Sequence, residues 1–176
     1  MTTPSVPDFI AGYAPQQPDF QSYWTGPSTF FADRIIARVS QQSSTTSIPD
    51  SGTATTILFD TVLEDPYSGW DASTHSWVAP AGYSGWYMAT LRVAVTGASA
   101  NTALSLQFST SYQTYPNLVY QAIPGEGVAS VSQYVYLIGG QDGIAGLAAI
   151  HNSGSALSTV TTTGLYPAME VVWIMS

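Results

Sequence analysis

Asp60, Glu64, Asp65 and Asp71 crowd the segment around Tyr67-Ser68-Gly69-Trp70. Carboxylates this close together are the oxygen donors a calcium ion takes. Their spacing matches no EF-hand loop, and a solvated acidic turn accounts for them as well. Asp60 and Glu64 are also the pair that glycoside chemistry would need, but the sequence does not set their separation. His75 falls in a turn and His151 at a strand end. Neither sits in HExxH or HxH spacing, so zinc has no support. There is no GxSxG, no phosphate loop and no dinucleotide fingerprint. The stretch GGQDG lacks a lysine and a following helix, and it reads as a hairpin turn. No catalytic residue, cofactor ligand or metal ligand is therefore assigned.

The larger excess is aromatic, at 12% of residues, with eleven tyrosines among them. Tyr112, Tyr115 and Tyr120 cluster near Pro116-Asn117. Trp77, Tyr83, Trp86 and Tyr87 lie beside a turn that runs on into a strand. Rings of this kind either close the end of a β-sandwich, stack on sugars or fill a protein interface.

The totals narrow the partners. The chain has 176 residues, 45% of them hydrophobic, enough for one domain with a core of its own. Only 8% are charged, against about 25% in an average domain. Three arginines, no lysine and eleven acids give a net charge of -8. Arg34, Arg38 and Arg92 cannot assemble a basic patch, which excludes nucleic acid and disfavours an anionic membrane. With no cysteine, the fold needs no oxidising compartment. MTTPSVPDF has no basic region and no apolar run, so no signal peptide is expected, and no window reads as a membrane span. Solubility must rest on Ser, Thr, Gln, Asn and Gly, a coat more typical of extracellular and viral structural proteins.

Two regions differ along the chain. Residues 1–33 hold five of the eleven prolines, Pro4, Pro7, Pro15, Pro18 and Pro27. Within them Phe20, Tyr23 and Trp24 fall at i, i+3 and i+4, after Pro18 and before Gly26-Pro27. That spacing predicts a short amphipathic helix over 18–24. Its aromatic face packs either on the domain's own base or on a neighbouring subunit.

From residue 34 onward the period is two. RIIARVSQ reads as a strand. TTILFDTVL sets Ile57, Phe59, Thr61 and Leu63 on one side. Tyr87, Ala89, Leu91, Val93 and Val95 line one face of the next long strand, with Met88, Thr90, Arg92, Ala94 and Thr96 opposite. Leu104, Leu106 and Phe108 alternate with Ser105, Gln107 and Ser109. NLVYQAI follows, and then Val131, Val135 and Leu137 stand against Ser132, Tyr134 and Tyr136. IAGLAAI and MEVVWIM finish the set. Seven to nine strands punctuated by Gly-, Asn- and Asp-rich turns predict an all-β antiparallel sandwich of jelly-roll type over 34–176. Leu91, Val93, Leu104, Leu106, Phe108 and Trp173 are its expected core.

The order of several short motifs resembles the C1q/TNF-like jelly-roll superfamily. Ile57, Phe59 and Asp60 stand where that family has an apolar-Phe-Asn/Asp strand. Trp77, Pro80, Gly85 and Tyr87 resemble its aromatic, proline, glycine and core-crossing aromatic, with P-x-x-G-x-Y lengthened to P-x4-G-x-Y. Leu137, Gly140, Asp142 and Ile144 resemble its L-x-x-G-D-x-V turn with one residue inserted, and MEVVWIM looks like its last core strand. The resemblance implies a compact homotrimer without catalysis. Separately, VPDFIAGYAPQQPDFQSYWTGP is similar to the start of small virion proteins of tailed phages that infect actinobacteria.

Together these resemblances imply a trimeric capsid decoration protein on the outside of a virion. Residues 1–33 would bind the major capsid protein through Phe9, Phe20, Tyr23, Trp24, Phe30 and Phe31. Tyr134 and Tyr136 would be hidden between copies. A minor tail or fibre-tip protein that binds a host surface glycan through loop aromatics is the alternative. A carbohydrate-active enzyme on a β-sandwich is a more distant one, since it needs paired carboxylates facing a cleft.

Overall fold

The computed structural model describes residues 36–99, 101–111, 114, 118–121, 125–162 and 164–175. The anchoring segment expected over 1–33, its helix, Arg34, Tyr112 and Tyr115 lie outside the described residues.

Thirteen strands follow in order: β1 (Ile36–Ser40), β2 (Ser47–Ile48), β3 (Thr55–Thr56), β4 (Thr61–Glu64), β5 (Trp70–Asp71), β6 (Ser76–Val78), β7 (Gly85–Ala98), β8 (Ala103–Thr110), β9 (Leu118–Gln121), β10 (Gly125–Leu137), β11 (Gly143–His151), β12 (Leu157–Ser158) and β13 (Ala168–Met175). Among the described residues there is no helix. One sheet runs β10-β7-β13-β1-β4 and the other β5-β6-β11-β8-β9, with β3 added on β11 and a small β12-β2 ladder apart. Neighbouring strands in these sheets pair antiparallel. The chain passes from one sheet to the other after β3, β4, β6, β7, β9 and β10, so the sandwich is a jelly roll.

The alternation read from the sequence is what closes it. Tyr87, Ala89, Leu91, Val93 and Val95 are all fully buried, as are Leu104, Leu106 and Phe108 from the facing sheet. The sheets meet closely at Gly146 of β11, where an added Cβ would come within 2.8 Å of Leu91 Cδ1. Trp173 departs from the expectation. It packs against the core but is only half-buried, at the end of β13 where the register shifts between Trp173 and Met175.

Two further corrections concern connections. Leu63 was expected on the same side as Ile57 and Phe59, yet it is 49% exposed while those two are fully buried. The alternation breaks at Asp60, where the chain leaves β11's side and joins the other sheet as β4 beside β1. GGQDG is not a hairpin turn either. It links β10 in one sheet to β11 in the other, and it is tied down by Gly140 N–H to Ala79 O at 2.6 Å and by Ala79 N–H to Asp142 O at 3.0 Å.

Candidate functional site

The four clustered acids do not converge. Asp60 takes the N–H groups of Gln42, Ser43 and Ser44 at 2.8, 3.0 and 2.6 Å, with the Ser44 and Thr61 hydroxyls at 2.8 Å. Partial burial opposes its charge, but these donors overrule burial and hold the carboxyl well below the usual carboxylate range. Asp65 accepts from Trp70 N–H at 2.8 Å and from Trp77 Nε1–H at 3.1 Å. Asp71 caps Ser73 through its N–H and hydroxyl, which lowers its carboxyl as well. Glu64 lies 3.9 Å from Arg38. Each carboxylate fastens a different piece of chain, and among the described residues no three His, Cys, Asp or Glu side chains are grouped to hold a metal. His75, at φ 51°, places Nδ1 3.1 Å from Phe59 O, and His151 lies over Gly52.

The rings divide by depth. Trp77 and Tyr87 are fully buried and meet edge-on at 5.7 Å, which plugs one end of the sandwich. Burial, reinforced by Tyr83, pushes the Tyr87 phenol upward, and its O–H donates to Tyr83 O. Tyr83 bridges half-buried Tyr67 and Trp173 at 5.6 and 6.0 Å. Trp86 does not belong to this plug. One residue out of phase with Tyr87, it faces solvent at 45% exposure and meets Tyr136 edge-on at 5.6 Å. Tyr120 falls in β9, paired with Leu104.

Trp86 opens a second feature, the outer face of the five-stranded sheet. Register places Tyr136, Trp86 and Met175 in one row and Tyr134, Met88 and Val172 in the next. Tyr134, Tyr136 and Met175 are 61%, 46% and 55% exposed. Polar rows follow. Ser132 and Thr90 share a hydrogen bond of 2.9 Å between their hydroxyls, and Arg38 meets Glu170 at 3.4 Å and Glu64 at 3.9 Å.

Beside that ion triad lies a recess of about 120 Å³ lined by Arg38, Leu63, Thr90, Arg92, Met169 and Glu170, among others. Arg92 Nη2 donates to Gly164 O at 2.6 Å and Tyr166 O at 3.3 Å, and its Nε is buried without a hydrogen-bond partner. A contiguous exposed apolar patch with a polar margin is the signature of an interaction surface. Sequence reasoning singled out Tyr134 and Tyr136, and the structure leaves both exposed. It missed Trp86, Met175 and Val172 as their neighbours. Trp86 was recoverable, because the inward phase of Tyr87 forces residues 86 and 88 outward.

This geometry defines a class: an all-β jelly-roll sandwich of the C1q/TNF-like fold. Three solved structures share it. Eiger TNF from S. frugiperda aligns with a TM-score of 0.57 at 10% identity, over 81% of this chain and 94% of that one. Murine APRIL gives 0.55 at 12% identity, over 81% and all of its own chain. The globular domain of zebrafish complement 1qA gives 0.52 at 14% identity, over 81% and 98%. No protein-family model matches the sequence, and no curated protein matches it either.

Proposed function

We propose that this chain is a non-enzymatic structural protein that assembles as a homotrimer and decorates the outside of a phage capsid, attached through residues 1–33. The observation that carries the reading is the aromatic outer face of β10, β7 and β13. A chain with 8% charged residues keeps Trp86, Tyr134, Tyr136 and Met175 on one side of one sheet, where a protein partner would shield them. The C1q/TNF-like fold supports self-association as the use of that face. The clustered acids, Asp60, Asp65 and Asp71 each holding chain nearby and Glu64 beside Arg38, argue against a hydrolytic centre.

The virion assignment rests on the likeness of the first residues to small phage virion proteins and on the composition. Phe9, Phe20, Tyr23, Trp24, Phe30 and Phe31 supply the aromatic anchors for the major capsid protein, each worth about 2 kcal/mol or more when desolvated at a contact.

Two measurements test this. Sedimentation of the isolated protein should give a trimer, and a stable monomer at micromolar concentration refutes the assembly. Deleting residues 1–33 should leave a soluble trimer that no longer enters particles. Full occupancy by the truncated protein moves the anchor onto the jelly roll. Failure of the truncated protein to fold assigns the aromatics of 20–24 to the domain's own core.

A further inference from the structure

A closed threefold ring is built from heterologous contacts, in which one patch of a copy meets a different patch of the next. The five-stranded sheet offers two unlike patches. On one side stands β10, a strand of 13 residues that in the described residues pairs with β7 alone and carries Tyr134, the most exposed of the large hydrophobic side chains. Away from that edge, across β7, β13, β1 and β4, lies the recess. It exposes the apolar side chains of Leu63 and Ala168 beside Arg38, Arg92 and Glu170, while Val39 and Met169 beneath belong to the core. That combination suits a phenol: apolar contact and guanidinium faces for the ring, and a charged acceptor for the hydroxyl.

We infer that Tyr134 of one copy seats in the Arg38–Leu63–Arg92–Glu170 recess of the next copy, so that three such contacts close the ring. The inference rests on the homotrimer proposed above and names its residues. Tyr134 stands one row from the Arg38–Glu170 row along the strand direction, about 7 Å for two residues. The length of a tyrosine side chain, with the mutual tilt of twisted sheets, spans that offset. Charge favours the arrangement too. Two guanidiniums meet two carboxylates at the recess, so acidic chains approach each other there without facing like charge.

The absence of cysteine makes the test clean. Tyr134→Cys and Leu63→Cys, both at exposed positions, are combined in the full chain and oxidised. Within one chain these sites sit on opposite border strands of the sheet. They are four strand spacings apart, about 19 Å, too far for a disulfide, which needs Cα atoms within about 7 Å. The expected result is a denaturing-gel ladder of two and three linked chains from the double variant, collapsed by reductant and missing from either single variant. Dimers from Tyr134→Cys alone mean a face-to-face isologous contact and overturn the inference. No linkage in a protein that still sediments as a trimer overturns the seat and leaves the trimer standing. A monomer in sedimentation overturns both.

Discussion

Gln41 is fully buried although it lies in a loop, and its amide joins three separate parts of the chain. Its Nε2 donates to Thr46 Oγ1 at 2.7 Å and to Leu58 O at 3.0 Å, and its Oε1 accepts the Thr159 hydroxyl at 2.5 Å. Thr46 and Thr159 are themselves 2% exposed. Thr46 Oγ1 also accepts Leu58 N–H at 3.0 Å, and Thr159 Oγ1 accepts Thr46 N–H at 2.8 Å. Gln41→Ala would strand the Leu58 carbonyl and the Thr159 hydroxyl, leaving the carbonyl only a long contact to Ser44 Oγ at 3.5 Å. A buried polar group left unpaired costs about 1–3 kcal/mol. The Thr159 hydroxyl is such a group, whereas Leu58 is 38% exposed, so the loss is about 2 kcal/mol against the roughly 5–15 kcal/mol that holds a domain together.

Urea unfolding at fixed protein concentration reads this directly. With a slope near 2 kcal/mol per molar, the midpoint should fall by about 1 M. Gln41→Met separates the causes, because it refills the volume and leaves both groups unpaired. It should lose nearly as much as Gln41→Ala. A shift below about 0.5 M for Gln41→Ala would mean that water takes over the amide's bonds. A near-native Gln41→Met would mean that Gln41 acts by packing. Either result refutes the reasoning.

Three further outcomes follow from the same structure. Leu106→Ala empties a fully buried site between the sheets and should cost about 2–5 kcal/mol in unfolding free energy, and a loss under about 0.5 kcal/mol would be that of a surface residue. Gly139→Ala puts a Cβ 2.3 Å from Pro80 O and 2.9 Å from Tyr83 N, backbone that cannot swing aside, so thermal unfolding should show a loss of about 1–3 kcal/mol and an unchanged melting point would contradict the docked turns. Asp60, with its folded carboxyl held below the unfolded value of about 3.9, adds stability above that pH and loses it on acidification. The gap between wild type and Asp60→Asn in urea midpoint should therefore narrow from pH 5 to pH 2, and a constant gap would show that the Gln42–Ser44 nest does not prefer the charged form.

The sequence carried the strand phases well where strands are long. β7 and β8 each cross the core with residues alternating, so a period of two assigned Leu91, Val93, Leu104, Leu106 and Phe108 correctly. It failed where tertiary pairing decides. Nothing local distinguishes a turn that stays in its sheet from one that changes sheets, so GGQDG read as a hairpin. TTILFDTVL keeps its alternation in letters, but Asp60 is captured by the Gln42–Ser44 nest from 16 to 18 residues away, and the phase of Leu63 is lost. Tyr134 and Tyr136 were visible as outward residues. Their neighbours Trp86, Val172 and Met175 come from positions 36 or more residues away, and only the register β10-β7-β13 brings them together.

That register also explains how so acidic and so charge-poor a chain can offer a surface for association. Asp50 binds the turn at Gly154, Asp60 the loop after β1, and Asp65 the indole of Trp77. Those carboxylates fasten loops at the margins of the sandwich, and the rows Tyr136–Trp86–Met175 and Tyr134–Met88–Val172 of the outer face carry no charged group. Placing a carboxylate at Met88, between Tyr134 and Val172, would charge the centre of that face without touching the core, to which its chain neighbours Tyr87 and Ala89 belong. Self-association through the face requires that this single change disperse the assembly while the fold persists.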